Sequence, residues 1–416
     1  MTHRVVALRA VSKFLKRGIS PSYHEHGALV INQRCIRDGR MFLAVARRND
    51  LERRGVPDDR WLRRWDVVVN STGVGTLGRV AQLTQIPSEP MTVDSHVTIV
   101  RPDLDEVDGP YFGYSLRKSQ PQIEAMGEGA TGQTELSRHR LGDEVLIGLP
   151  PLPVQRKIAA VLGAYDELIE NNLRRIEILE EMAQAIYREW FVNFRYPGHE
   201  DVALVDSPLG PIPDGWDPVT VADAIDLNPR LRLARADEFR FVPMGSLVEG
   251  SMVIDGYETR SGPSGSQFRN GDTLLARITP SLENGKTGFV QFLLEGEVAC
   301  GSTEFIVMRS RTLTPEFVYL LARKEDFRGL AIKSMVGASG RQRVQESSIS
   351  KYPLAHPDSR ALQRFRGVVS PMFRMVQNLV DQNANLRATR DLLLPKLVSG
   401  EIDVSDMDIN TDWLAS

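Results

Sequence analysis

The side chains best suited to chemistry in this chain are arginine, lysine, asparagine, glutamine and threonine clustered on glycine-rich turns. Arg and Lys neutralise phosphates, whereas Arg, Asn and Gln can make paired hydrogen bonds to base edges. In the first part of the chain Ser71, Thr72, Arg79, Gln133 and Arg138 stand on or beside such turns. In the second part Arg277, Thr279, Asn284, Lys286, Arg341, Gln342 and Arg343 do. Arg34, Arg37 and Arg40 form a further basic group whose type suits phosphate contacts. A lone polar loop residue is most often simply solvated, so the expectation attaches to the loops.

No set of residues for catalysis assembles alongside them. Gly73-Val-Gly-Thr-Leu-Gly78 fits a dinucleotide fingerprint, but that motif needs a helix next, and Arg79-Val-Ala-Gln-Leu83 reads as extended. A strand–turn–strand hairpin is the expectation. Gly285-Lys286-Thr287 looks like the end of a phosphate loop whose first glycine is replaced by Pro280. His24 and His26 lack nearby Cys or acidic partners, so no metal site is expected. Neither an Asn/Asp-Pro-Pro-aromatic motif nor a nuclease-like acidic pair followed by Glu-x-Lys is present. The chain is expected to be no enzyme and to hold no cofactor.

With 416 residues, 42% of them hydrophobic, the chain can bury two or three cores. Its apolar runs are too short to span a bilayer, and Cys35 and Cys300 are too far apart to suggest a disulfide framework. A cytoplasmic protein without membrane contact, its thiols reduced, is expected. The net charge of −3 hides an uneven distribution. Residues 1–64 carry 15 Lys and Arg against 6 Asp and Glu, and residues 323–351 carry 7 against 3. Such clusters are as often solvated surface as anion contacts.

Two long heptad patterns must position these loops. One runs through Ile158, Leu162, Tyr165, Ile169, Asn172, Ile176, Leu179, Ala183, Ile186 and Trp190. The other runs through Leu362, Phe365, Val369, Met372, Val376, Leu379, Asn383, Leu386, Arg390, Leu393 and Leu397. Written backwards from Asn383, the second matches the first from Asn172 step for step. Antiparallel packing then pairs Ile158 with Leu397, Leu162 with Leu393, Ile169 with Leu386 and Ile176 with Leu379. It also pairs Leu179 with Val376, Ala183 with Met372 and Trp190 with Phe365, with Asn172 facing Asn383 and Arg390 facing Tyr165. A polar pair in one layer penalises every slipped register. The first stripe spans about 50 Å at 1.5 Å per residue.

Each helix follows a mixed globular stretch, and the stretches share motifs. Trp65-Asp66-Val67-Val68 matches Gly271-Asp272-Thr273-Leu274, and Ser95-His-Val-Thr-Ile-Val100 matches Thr303-Glu-Phe-Ile-Val-Met308. Gly129-Ala-Thr-Gly-Gln133 matches Gly337-Ala-Ser-Gly-Arg341, and Gln155-Arg156 matches Gln363-Arg364. A tandem duplication of domain plus helix accounts for this. The expected plan is α+β: a first mixed α/β domain over 1–150, a long helix over 151–196 and a linker over 197–216. A second mixed domain over 217–357, a second helix over 358–402 and an acidic tail over 403–416 complete it. The helices form an antiparallel coiled coil within an internal pseudo-two-fold molecule, an arrangement suited to duplex DNA.

The run Leu149-Pro-Pro-Leu-Pro-Val-Gln-Arg-Lys-Ile-Ala-Ala-Val-Leu162, with Asp166-Glu-Leu-Ile169 and Tyr187-Arg-Glu-Trp-Phe191, resembles the central region of specificity subunits of type I restriction–modification systems. Leu209-Gly-Pro-Ile-Pro-Asp-Gly-Trp216 and Leu393-Leu-Pro-Lys-Leu-Val-Ser-Gly-Glu-Ile402 resemble further parts of that family. The resemblance implies two target-recognition domains, each reading half of an interrupted double-stranded DNA site, held apart by two spacer helices. It implies docking of two modification subunits, which bind S-adenosylmethionine and methylate adenine, and of restriction subunits that translocate and cut. The alternative is a coiled-coil scaffold for other proteins without DNA contact. The second helix departs from the family pattern: it starts at His356-Pro-Asp-Ser-Arg360 and contains Pro371 and Pro395. A proline inside a helix costs about 3 kcal/mol, which predicts a break or kink there.

Overall fold

The computed structural model describes residues 4–128, 134–231, 237–338 and 340–412. Its contacts divide the chain into two units, Met1–Ile169 with Asn385–Ser416, and Glu170–Ala384. The division falls inside the two long helices, so each unit contains part of both.

In the first unit, strand Val97–Pro102 lies between Ser12–Arg17 and Val67–Asn70, and Val80–Gln82 closes the edge of this antiparallel sheet. Every residue from Val67 to Asn70 is buried, and Val67–Val69 form the continuous apolar run of a strand covered on both faces. A second four-stranded sheet pairs Met91–Val93 parallel to Ala28–Ile31. The strand Arg4–Ala7 pairs with Leu146–Leu149, which leads into the long helix. The second unit has a closely similar order. Phe305–Ser310 lies between Ile225–Leu227 and Thr273–Ala276, with Thr287–Phe289 at the edge. Glu238–Val242 runs parallel to Ala299–Gly301, and Asp217–Thr220 pairs with Pro353–His356 before the second long helix.

One buried ion pair recurs in both units. Asp66 receives Nε and Nη2 of Arg101, each at 2.8 Å, and Asp272 receives the same two atoms of Arg309. Both carboxylates also cap a turn, accepting the backbone N–H of Arg63 and Arg269 at 2.8 Å. Bidentate pairing and the extra N–H satisfy a charge that burial alone would penalise heavily.

The first long helix spans Leu152–Phe191. It stops short of the expected end at 196: Phe194 adopts φ 56°, outside helical geometry, and packs edge-on against Trp216 at 5.6 Å. The second spans Ser359–Ser399 without interruption, so the break expected at the prolines does not occur. Pro371 and Pro395 both lie on the exposed face, where water can serve the carbonyls deprived of their N–H partners. Phe365, Val369, Phe373, Val376 and Leu379 are buried around Pro371. At about 1.5–3 kcal/mol per buried side chain, their burial outweighs the proline penalty.

Of the heptad residues, Ile158, Leu162, Ile169, Ile176, Trp190, Phe365, Val376, Leu379 and Leu397 are buried, while Leu179, Leu386 and Leu393 are half-buried. In the second unit Asn172 Nδ2 donates to Asn383 Oδ1 at 3.0 Å, and Trp190 meets Phe365 with ring centroids 5.9 Å apart. Contacts that rise along one helix therefore descend along the other. The stripe departs from expectation at several layers: Tyr187 is buried beside a half-buried Ile186, and Leu394 beside a half-buried Leu393. Phe373 takes the buried place expected of Met372, because its ring packs edge-on against Phe289 and Tyr319. Arg390, expected to face Tyr165, is held by acidic partners. It is 5% exposed and binds Asp166 and Asp391, and Asp166 also accepts the Tyr114 hydroxyl at 2.7 Å.

The segment expected as a linker is built into the second unit, with Ile212 and Trp216 buried and Trp216 stacked on Tyr196 at 5.2 Å. The segment expected as an acidic tail is packed at its start. Val404 is buried, and the Ser405 carbonyl accepts Lys157 Nζ at 2.7 Å.

Glu180 is a buried carboxylate on the first helix, accepting Ser251 Oγ at 3.0 Å and the Met252 N–H. Burial holds its pKa above the usual glutamate value. The folded state therefore binds this proton more tightly than the unfolded state, and the group's contribution to stability falls as pH rises from the ordinary glutamate range through the folded value. Glu180→Gln keeps an acceptor for both bonds. It is expected to leave stability at pH 7 unchanged or raise it by up to about 1 kcal/mol, and to reduce the fall in urea midpoint between pH 4.5 and 7.

Candidate nucleic-acid interface

In the first unit Asn70 lies opposite Val97, and the chain leaves both strands there as loops. Ser71 N–H donates to the His96 carbonyl, and Leu136 N–H donates to the Ser71 carbonyl, both at 2.8 Å. Isolated bridges join Thr72 to Glu135 and Glu128 to Glu135. Three segments thus meet at one end of the sheet. Thr72 Oγ1 links the Gln33 amide to His96 Nδ1, the latter at 2.9 Å. Beside them Arg17, Arg60, Glu128, Glu135, Arg138 and His139 line an open cleft of about 630 Å³.

The second unit repeats the junction. Ala276 lies opposite Phe305, Arg277 N–H donates to the Glu304 carbonyl at 2.9 Å, and Val344 N–H donates to the Arg277 carbonyl at 2.8 Å. Bridges join Ile278 and Val336 to Arg343. Gly337 allows this return: it has φ +139°, and a Cβ there would lie 3.0 Å from the Arg341 carbonyl oxygen.

These junctions gather some of the sequence candidates and withdraw others. Ser71 is fully buried and hydrogen-bonds the Thr98 hydroxyl at 2.6 Å, so it is a structural residue and not a surface contact. Arg79 donates Nη2 to the Gly75 carbonyl at 2.8 Å, shaping its own loop. That loop returns directly into Val80–Gln82 antiparallel to Val67–Asn70, a hairpin with no helix to present amides to a pyrophosphate. Arg138 is exposed on the cleft, while Gln133 lies outside the described residues. Arg34 and Arg37 are exposed and Arg40 half-buried, on or beside the short hairpin of Ile36–Arg37 and Arg40–Met41, and Arg34 directly follows the Gln33 that bonds Thr72.

In the second unit Arg277 gives Nη2 to the Val344 carbonyl at 3.2 Å, and Lys286 gives Nζ to the Met244 carbonyl at 3.2 Å. Thr279 faces the Met335 sulfur at 3.5 Å, and Asn284 bonds Glu249 at 3.0 Å. Arg341 and Arg343 are exposed at the junction, and Gln342 holds Thr279 N–H with its carbonyl at 3.1 Å. Residue types alone did not single out Gln33, His96, Arg17, Arg60 or Glu304. A signal for two of them was present, since the matched strands at 95–100 and 303–308 place His96 against Glu304.

Among the described residues no group of acidic, His or Cys side chains could hold a metal, and no helix is long and apolar enough to cross a membrane. Cys35 and Cys300 are both buried free thiols.

No family model matches the chain. Its curated relatives are specificity subunits of type I restriction enzymes. The MjaIX specificity subunit of Methanocaldococcus jannaschii is 26% identical over 342 residues, covering 77% of this chain and 75% of that protein. The EcoEI specificity subunit of Escherichia coli is 28% identical over 184 residues, covering 41% of this chain and 30% of that protein. In fold the chain is similar to the crystal structure of a type I restriction–modification S subunit from M. genitalium, with TM-score 0.52 and 15% identity over 95% of this chain and 96% of that one.

Proposed function

We propose that this chain is the DNA-recognition subunit of a type I restriction–modification complex, reading an interrupted double-stranded site with its two mixed domains. One observation carries the reading. Each unit brings loops together at the corresponding register of its own sheet, yet the two present different polar side chains there: Gln33, Thr72, His96 and Glu135 in one, and Glu304 and Arg343 in the other. A shared frame with different side chains is what reading two unlike half-sites requires. The duplicated motifs and the relatives named above support it. The basic segments at 1–64 and 323–351 supply phosphate contacts, which set register on the duplex.

The long helices act as an antiparallel spacer whose register is marked by Asn172 and Asn383, and their exposed faces dock two modification subunits. Those subunits bring S-adenosylmethionine and the methyl transfer, and restriction subunits bring translocation and cleavage. The chain itself supplies recognition and no catalysis, and acts in the cytoplasm.

Sequencing the modified bases of a host that expresses this chain with its modification subunit is expected to reveal one split adenine motif. A continuous motif, or none from a proven assembled complex, would overturn the reading. DNA binding by that complex is expected to weaken steeply with salt; absent or salt-insensitive binding would favour the scaffold.

A further inference from the structure

The two junctions differ most sharply at the position of Glu135 and Arg343. Glu135 precedes Leu136, whose N–H meets the Ser71 carbonyl, as Arg343 precedes Val344, whose N–H meets the Arg277 carbonyl. In the first unit Glu135 pairs with Arg17 from a neighbouring strand, and His96 bonds Thr72. In the second, the equivalents of Glu135 and His96 pair with each other as Arg343 and Glu304.

Their geometry is side-on. Arg343 Nε lies 3.0 and 2.9 Å from the two Glu304 oxygens, and Nη2 lies 2.6 Å from Oε1. A guanidinium has five N–H groups, and this pairing uses Nε–H and one hydrogen of Nη2. The remaining Nη1 and Nη2 hydrogens at the far end of the plane are the donor pair that matches O6 and N7 of guanine in the major groove. The Arg343 side chain is 47% exposed and that of Glu304 21%, so the arginine stands outward of its carboxylate. An ion pair this exposed adds little to stability. What it does is hold a rotamer-rich side chain in one orientation before a ligand arrives. The backbone beneath is equally fixed: Arg343 and Val336 exchange both N–H···O bonds at 3.0 Å, and Val344 next to it is fully buried. Arg343 also keeps Glu304 ionised, holding its carboxyl below the usual range.

We propose that Arg343, oriented by Glu304, reads a guanine in the half-site met by the second domain. The assignment rests on the DNA-recognition reading above. Glu304 is a positioning residue, acting through the arginine.

The test compares motifs from hosts expressing the complete modification complex with wild type, Arg343→Gln, Arg343→Lys or Glu304→Gln. The wild-type motif is expected to contain a guanine whose preference, about ten- to a hundredfold, collapses toward parity in Arg343→Gln while the other half-site stays unchanged. Arg343→Lys retains the charge but loses the paired donors, and Glu304→Gln loosens the arginine; both are expected to relax that same position. Should Arg343→Gln fail to assemble, these two variants carry the same criterion. A uniform loss of methylation across all site variants identifies a phosphate contact and overturns the proposal. So does an unchanged motif. A wild-type complex without any split motif defeats the DNA-recognition reading itself, an outcome distinct from failure at Arg343.

Discussion

Asp272→Asn is expected to destabilise the second unit by about 3–5 kcal/mol, because it leaves the Arg309 guanidinium in a site where its counter-charge is gone. Asp272 is 1% exposed and the Arg309 side chain 11%, so water cannot replace the lost partner without opening the sheet. The amide also surrenders one of two charge-assisted bonds, since its nitrogen cannot accept from Arg309. Urea denaturation of the full chain checks this as a fall in the midpoint of one transition. Asp66→Asn is expected to cause a similar loss in the first unit, where Asp66 and Arg101 have the same geometry. The double variant Asp272→Leu/Arg309→Met is expected to recover most of the stability, because removing both charges also removes their desolvation. Equal stability of Asp272→Asn and wild type would mean that the pair is not buried as described.

The second large effect is expected at Phe365. Its ring is fully buried between the long helices and the second unit's sheet-covering helix Pro315–Arg323, with centroids 4.8 Å from Phe191, 5.9 Å from Trp190, 6.4 Å from Tyr187 and 6.5 Å from Phe317. Phe365→Ala removes these contacts and leaves a cavity that four large neighbours can only partly fill, for a loss of about 3–5 kcal/mol. Val368→Ala is the control. It lies on the same helix but is 42% exposed, and is expected to change stability by less than about 0.5 kcal/mol. Thermal and urea melts of the two variants separate a general effect of the helix from the effect of this aromatic cluster.

The long helices were legible because heptad spacing is a local property that one stripe of residues carries by itself. Asn172 was legible as a polar layer for the same reason, and its partner Asn383 followed from the reversed step order. Spacing left Pro371 off the stripe but did not show that the burial of Phe365, Val369, Phe373, Val376 and Leu379 around it outweighs the proline penalty, and so the expected break was absent. The Phe373 substitution for Met372 in the core has a similar origin: the stripe was read against one partner helix, whereas Phe289 and Tyr319 of the adjoining domain draw the neighbouring residue inward.

The candidate loops show the same division. Their glycines marked the turns, and the matched strands marked where loops leave the sheet. Yet Ser71, polar and next to a turn, is buried against Thr98, while Glu304 at the start of a strand faces the junction. By itself the sequence determined the repeated motifs, the paired heptads with their asparagines, and the polar turns, all of them encoded in spacing along the chain. Only the tertiary structure decided that Asp66 and Asp272 take Arg101 and Arg309, that Arg390 takes Asp166, and that Arg343 takes Glu304. Partners such as these are chosen by strand register and helix crossing, which bring together residues that no local periodicity relates.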